Sequence, residues 1–422
     1  MKQNLLVVLI FSSLIVGGCS TNPVTGKTQL TMPLSQQIAI GNEQYVPSQQ
    51  QQGGRYVVDP ELNFYVNTVG QKVAAQSPVK LPYEFVVLNN SVPNAWALPG
   101  GKIAINRGLL VHLEDEAQLA AVLGHEVTHA AAEHSASQMM RGQLLNIGVA
   151  VTGIASSGSD YGNLINTGAT LGAQAYQARY GRDDELEADK FGIDFLVGAG
   201  YEPRAAVELQ QKFVELSEGQ QSDFFSNLFA SHPPSEERVR KNQQRVQDLP
   251  AGNRNAAAYK KAISQIVKDQ AAYDTHEKAL AAAGENKLDS ALELVNQAIQ
   301  KQPNEALFHI TKGQLLLAKK QNSEALNSFK TAVAKNPEYF MAHLGKGLTE
   351  KKLGQKSAAK SDLEKSTRLL ATPVAAYHLG ELELDSGNRQ AAVNYFKFAA
   401  QDSGEIGQAA KQQLSNLGAA AQ

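Results

Sequence analysis

Two histidines four residues apart enclose a glutamate in the run His125-Glu126-Val127-Thr128-His129. The preceding residues, Leu119, Ala120, Ala121, Val122 and Leu123, are apolar and read as a buried helix. At 3.6 residues per turn, side chains four apart stand one above the other on one face. Two imidazoles so placed can close on one small cation, and zinc favours nitrogen ligands of this kind. Glu126 is turned about 100° from His125, within reach of a metal-activated water without being a ligand itself. A carboxylate there is the general base of a zinc-dependent hydrolase.

Such a site needs a third protein ligand and an open position. The run Arg182-Asp183-Asp184-Glu185-Leu186-Glu187-Ala188-Asp189, followed by apolar Phe191, Ile193, Phe195 and Leu196, supplies acidic candidates on a second helix. Glu185 and Asp189 share a face, while Glu187 is turned about 200° from Glu185 and is expected to point to solvent. One of the aligned pair can bind metal while the other orients an imidazole from behind; spacing leaves open which does which. His134 follows His129 by five residues, about 140° around a continuous helix, and is assigned to packing or hydrogen bonding.

The elements that must position these groups are legible around them. Leu62 to Ala75 has helical spacing, and Tyr83 to Leu88 reads as a strand. Two extended runs flank Pro99-Gly100-Gly101, a hairpin signal immediately before the histidine helix. The first of these runs, carrying Asn94, Ala95, Trp96 and Ala97, is a candidate edge for binding an extended peptide; the alternative is a purely structural hairpin with Trp96 packed in the core. The Gly- and Ala-rich stretch from Leu144 to Ala175 is broken by Ser156 to Asp160 into pieces too short to cross a bilayer; it is expected to form a helical hairpin or lid.

The N-terminus reads as a targeting segment. Lys2, the apolar stretch Leu5 to Val16 and the small Gly17 and Gly18 precede Cys19, the single cysteine of 422 residues. Val16-Gly17-Gly18-Cys19 resembles a bacterial lipobox, which implies cleavage after residue 18 and acylation of Cys19. Several acyl chains anchor firmly to a membrane surface. By resemblance to lipoprotein sorting rules, Ser20 favours the outer membrane, facing the periplasm. Gln49 to Gln52 with Gly53 and Gly54 reads as a linker closing an anchor region over 19–54. The net charge of −2 gives no electrostatic case for nucleic acid.

The ordered set His125-Glu126-Val127-Thr128-His129, Glu185-x-x-Ala188-Asp189 and Ser231-His232-Pro233-Pro234 with Arg238 resembles the M48 zinc metallopeptidases. The Asn94 to Ile105 segment is similar to the strand-turn-strand that precedes their metal helix. The resemblance implies a zincin-like α+β peptidase domain with a small sheet over 55–250, one Zn²⁺ per chain, Glu185 as third ligand and Asp189 as its catalytic support. It places His232 near the metal, where two roles are open: a donor to the developing oxyanion, or an occupant of the open position that keeps the enzyme inactive.

Beyond Gly252 the pattern changes to helices with a period near 34. Ala279, Gly313, Gly347 and Gly380 align; twelve residues on stand Ala291, Ala325, Ala359 and Ala392; sixteen on, Val295, Phe329, Leu363 and Phe396; nineteen on, Ala298, Ala332, Ser366 and Ala399. This resembles four tetratricopeptide repeats over 255–422, closed by a helix from Ile406 to Leu417. His276, His309, His343 and His378 recur once per repeat and are assigned to packing or to the groove. The whole is mostly α: a peptidase domain followed by an all-α solenoid. By resemblance to M48 enzymes fused to such repeats, the expected function is outer-membrane protein quality control. Misfolded envelope proteins would be the substrates, and the repeats would dock clients or the assembly machinery. The rival expectation is a chaperone or scaffold that acts through the repeats with a silenced or structural zinc site.

Overall fold

The computed structural model describes residues 18–144, 180–218 and 224–419. The targeting segment expected over 1–18 falls almost wholly outside these residues, as does the hairpin or lid expected from Leu144 to Ala175. Among the described residues, no helix is long and apolar enough to cross a membrane.

A two-stranded hairpin, β1 (Gly18–Thr21) and β2 (Thr28–Thr31), leads into α1 (Leu34–Gln51). Then come α2 (Pro60–Ala74), β3 (Glu84–Leu88), β4 (Ala95–Leu98), β5 (Lys102–Asn106), the short α3 (Arg107–Leu110) and α4 (Glu116–Ala131). The sheet order is β3-β5-β4, with β3 parallel and β4 antiparallel to β5. The turn between β4 and β5 puts Gly100 and Gly101 at φ 78° and 88°, a region open to glycine and costly for other residues. Strand alternation sends Ala95, Ala97, Ile103 and Ile105 toward α2 and α4, and Trp96, Leu98, Val86, Leu88 and Ala104 toward Tyr45 of α1.

Gln49 to Gln51 of the linker expected at the end of 19–54 are instead the last turn of α1, and Gln52 to Gly54 form the turn that follows. The face that α1 buries is Gln37, Gly41, Tyr45, Ser48 and Gln50, a helical period written in polar and small residues. These residues replace apolar contact with hydrogen bonds. Gln37 donates to Met32 O, Gln52 accepts from Trp96 Nε1 at 3.1 Å, and Gln50 donates to Glu338 O while accepting from Phe340 N.

After α5 (His134–Leu144) come α6 (Arg182–Gly198), α7 (Arg204–Glu218), α8 (Ser226–Ser231), α9 (Glu236–Val246) and α10 (Ala256–Ala262). Four antiparallel pairs follow: α11 (Ser264–Gly284) with α12 (Leu288–Lys301), α13 (Ala306–Ala318) with α14 (Asn322–Lys335), α15 (Phe340–Lys352) with α16 (Lys356–Leu369), and α17 (Pro373–Asp385) with α18 (Arg389–Ala399). The closing helix is α19 (Glu405–Asn416). Within three pairs, the large residue sixteen places on packs where a glycine leaves room. A Cβ on Gly313, Gly347 or Gly380 would meet Phe329, Leu363 or Phe396 at 2.7–2.8 Å. Where the first repeat has Ala279 instead, the partner is the smaller Val295.

The repeats are bonded to the peptidase half. One apolar cluster runs from Tyr56 and the sheet through α4 to Leu315 of α13. At its edge the buried Arg107 lies over the Tyr273 ring at 3.2 Å, and Glu305 accepts from Tyr273 and Asn89. The repeat histidines are engaged separately: His276 with Thr311, His309 with Pro303 O, His343 with Asp362, His378 with Glu381.

Candidate metal centre

Two helices carry the chemistry and cross at glycines. A Cβ on Gly124 of α4 would lie 3.0 Å from Gly192 O, and one on Gly192 of α6 would lie 3.0 Å from His125 N. This close approach brings the acidic first turn of α6 against the histidine face of α4. Asp183, Asp184 and Glu185 suit that turn because the helix N-terminus favours negative charge.

His125, His129, Glu185 and His232 each direct one donor atom into a common volume, all within 4.8 Å of one another. His129 Nε2 is 3.0 Å from His125 Nε2 and 3.2 Å from Glu185 Oε1. His232 Nδ1 is 3.0 Å from Glu185 Oε1 and 3.3 Å from His125 Nε2. Ligand atoms about 2.0–2.1 Å from a tetrahedral cation stand roughly 3.3 Å apart, so these spacings fit one small ion. The donor set, imidazole nitrogens and a carboxylate, is a metal-binding one. Charge points the same way. Glu126, Glu185 and Asp189 are buried against a single buried guanidinium, Arg238. Glu126 Oε2 and His232 Nε2 are buried without a hydrogen bond.

The charges shape one another. Burial acts to raise Glu185, but Arg238, His232 and His125 hold its carboxyl well below the usual range. Burial likewise opposes ionisation of Asp189, which Arg238 brings down to about 2. Burial alone dominates at Glu126 and raises it, as suits a group that must take up a proton. At His129 burial pushes protonation well below the ordinary range, leaving the neutral ring that ligation needs. His125 resists the same burial because Glu185 and Asp189 favour its charged form, up to about 10.

Asp189 Oδ1 stands 3.1 Å from His125 Nδ1, behind the ring. Arg238 joins both acids: Nε and one terminal nitrogen contact Asp189 at 2.7 Å, and the other lies 2.6 Å from Glu185 Oε2. The motif set included Arg238, but the sequence left open whether it supports the site or is a surface charge. Tyr180 was not legible as a site residue; its ring stacks on His129 at 3.6 Å with its hydroxyl 2.8 Å from Ser135 Oγ. Glu187 corrects the expectation of solvent exposure: it pairs with Lys27 and lies 3.4 Å from His134 Nε2. A helical wheel of α6 carries no information about the β1–β2 hairpin that covers this face.

A cavity of about 740 Å³, its mouth included, opens beside the cluster. His125, Glu126 and His232 form its polar side; Leu109, Val122, Ile193, Leu209, Phe213 and Leu228 form its apolar side. Of the four residues expected to bind substrate, only Ala95 lines it. Asn94 is buried and accepts Asn106 N through its carbonyl, and Ala97 O accepts Ser135 Oγ at 3.1 Å. Trp96 faces the opposite side of the sheet, edge-on to Tyr45 at 6.2 Å. Trp96 packs in the core with Tyr45 rather than lining the cavity.

A histidine–glutamate–histidine helix, an acidic helix crossing it and buried carboxylates matched to a cation define a metallopeptidase. Residues 60–246 match the model of Peptidase family M48. The chain is 25% identical over 370 residues to the "Beta-barrel assembly-enhancing protease" of Escherichia coli strain K12, covering 79% of this chain and 75% of that one. It is 31% identical over 171 residues to "Metalloprotease YcaL" of the same strain, covering 39% and 63%. A thermophilic TPR protein of Thermus thermophilus matches 51% of this chain and 97% of its own, at 18% identity and a TM-score of 0.30.

Proposed function

We propose that the chain is a zinc-dependent endopeptidase of the bacterial envelope, with His125, His129 and Glu185 as metal ligands and Glu126 as general base. The carrying observation is the convergence of four donor atoms within 4.8 Å beside a buried, unpaired Glu126 oxygen. Zinc held there supplies Lewis acidity toward the scissile carbonyl. Glu126 accepts the proton of the attacking water and passes it to the leaving amine. Asp189 holds the His125 ring, and Arg238 holds Asp189 and Glu185 in register. His232, with Nδ1 3.0 Å from Glu185 Oε1 and 3.3 Å from His125 Nε2, would be a further ligand to a bound metal.

The name of the relatives that span most of the chain supports the cellular setting. On this reading the chain divides into a signal segment over 1–18, an anchor region over 19–54, the peptidase over 55–250 and the repeats over 255–422. Acylated Cys19 tethers it to the outer membrane on the periplasmic side. The substrates are misfolded or stalled envelope proteins, which the repeats dock together with the assembly machinery. Wild-type chain should contain one zinc and cleave an unfolded protein such as casein; chelation should stop cleavage and zinc restore it. Full cleavage after complete removal of metal would sink the reading. Binding of unfolded clients with no hydrolysis in the zinc-loaded chain would favour the scaffold.

A further inference from the structure

Behind His129, away from the donor cluster, Nδ1 lies 2.9 Å from His134 Nδ1. Two imidazole nitrogens at that distance share one proton, so one ring donates and the other accepts. A ring that gives Nε2 to a cation carries its proton on Nδ1, so His129 donates and His134 accepts. His134 then carries its own proton on Nε2, which faces Glu187 Oε2 at 3.4 Å. The other oxygen of Glu187 is paired with Lys27. His134 is 3% exposed, so neither nitrogen can exchange its partner for bulk water at no cost.

The backbone is bent to achieve this. On a continuous helix residue 134 would point elsewhere, but Glu133 adopts φ 59° and separates α4 from α5. The β1–β2 hairpin closes that break. Asn22 donates to Ala132 O at 2.6 Å, and Gln29 to Ala132 O at 3.2 Å and to Glu133 at 3.0 Å.

We propose that His134 is a positioning residue for the metal centre, accepting from His129 Nδ1 and held in the matching tautomer by Glu187. The hairpin, whose first strand carries Cys19, supplies Lys27 and fixes the turn, so the segment at the anchor helps set the affinity for metal. This assignment rests on the zinc reading of the site. Ligand-orienting partners of this kind are worth about 10–100-fold in metal affinity.

The test is zinc affinity of the full chain, measured by competition with a chromogenic chelator. His134→Leu should lose about 10–100-fold, whereas His134→Gln should stay within about threefold, because an amide can accept from His129 and donate to Glu187. Wild-type affinity in H134L, in a preparation whose wild-type chain binds zinc, overturns the assignment. Equal losses in H134L and H134Q also overturn it, since lost packing alone gives that pattern. Should H134L fail to fold, Glu187→Leu carries the test with an expected loss of about 3–10-fold; no loss there overturns the assignment. A wild-type chain that takes up no zinc sinks the peptidase reading itself, and this assignment with it.

Discussion

Arg238 grips Asp189 with two parallel contacts of 2.7 Å, one to each carboxylate oxygen, while its remaining nitrogen lies 2.6 Å from Glu185. Forked pairing of this kind fixes direction as well as charge. It joins the residue behind His125 to a proposed ligand through one planar group carried on α9. Removing the guanidinium leaves two buried carboxylates facing each other, and breaking such a pair costs about 3–5 kcal/mol. Arg238→Leu should therefore lose that much stability in urea unfolding of the chelated chain. Arg238→Lys keeps the charge but not the fork and should fall between. Zinc should recover part of the loss, because a cation replaces the missing charge.

Glu126→Gln should separate catalysis from stability. One Glu126 oxygen is buried without a hydrogen bond, and burial raises its protonation. The carboxylate is thus held at a cost to the fold, as groups at reactive sites often are. The amide removes the charge at constant shape, so proteolysis should fall by about 10²–10⁴-fold while the melting temperature holds or rises. A cleavage assay and a melting curve on the same zinc-loaded preparation measure both. Activity near wild type would remove Glu126 from the role of base.

The reach of sequence reasoning differs from residue to residue. His125 and His129 were legible because four-residue spacing is a local property of one helix. The repeats were legible for a similar reason: Gly313 with Phe329 and Gly380 with Phe396 are small–large partners within one antiparallel pair. What escaped depends on partners distant in sequence. Arg238 was in the motif set, but its role stayed open because the packing of α9 on α6 sets it against Asp189. Glu187 meets Lys27 across 160 residues. The helix α1 escaped because Gln37, Gly41, Ser48 and Gln50 bury amides and backbone where a hydrophobic stripe was sought. The geometry of His134 turns on one residue, Glu133, in a left-handed conformation that no periodicity announces.

The small–large pairing predicts a graded response in the repeats. Phe329 is enclosed by Gly313 and Gly345, where added Cβ atoms would come within 2.7 Å and 2.2 Å of its ring. Alanine in a helix normally gains about 0.5–1 kcal/mol over glycine, but overpacking a closed core costs about 1–3 kcal/mol. Gly345→Ala should thus destabilise, and adding Phe329→Leu should recover part of the loss. Gly284→Ala meets nothing within 4 Å at the end of α11 and should leave stability unchanged or raise it. Chemical denaturation of wild type and these variants decides the order; a Gly345→Ala chain as stable as Gly284→Ala would contradict the enclosure.

His276 sits where the repeats meet the peptidase half and should make stability fall in mild acid. It is buried, its Nε2 lies 2.8 Å from Thr311 Oγ1, and its ring centroid lies 4.9 Å from that of Phe308. Burial first, and the nearby Arg107 guanidinium second, push its protonation down to about 3. The unfolded chain takes up that proton near 6.5, so below this value protons favour unfolding. The contribution is present in full above about pH 6.5 and is lost progressively toward pH 3. Between pH 7 and pH 5 the loss is about 2 kcal/mol. His276→Gln keeps a side chain able to hydrogen-bond Thr311 but cannot titrate. The stability difference between wild type and H276Q should therefore shift by about 2 kcal/mol against wild type over that range. A difference that stays constant from pH 7 to pH 5 would mean that His276 can take its proton in place, and that the junction between repeats and peptidase is open to water.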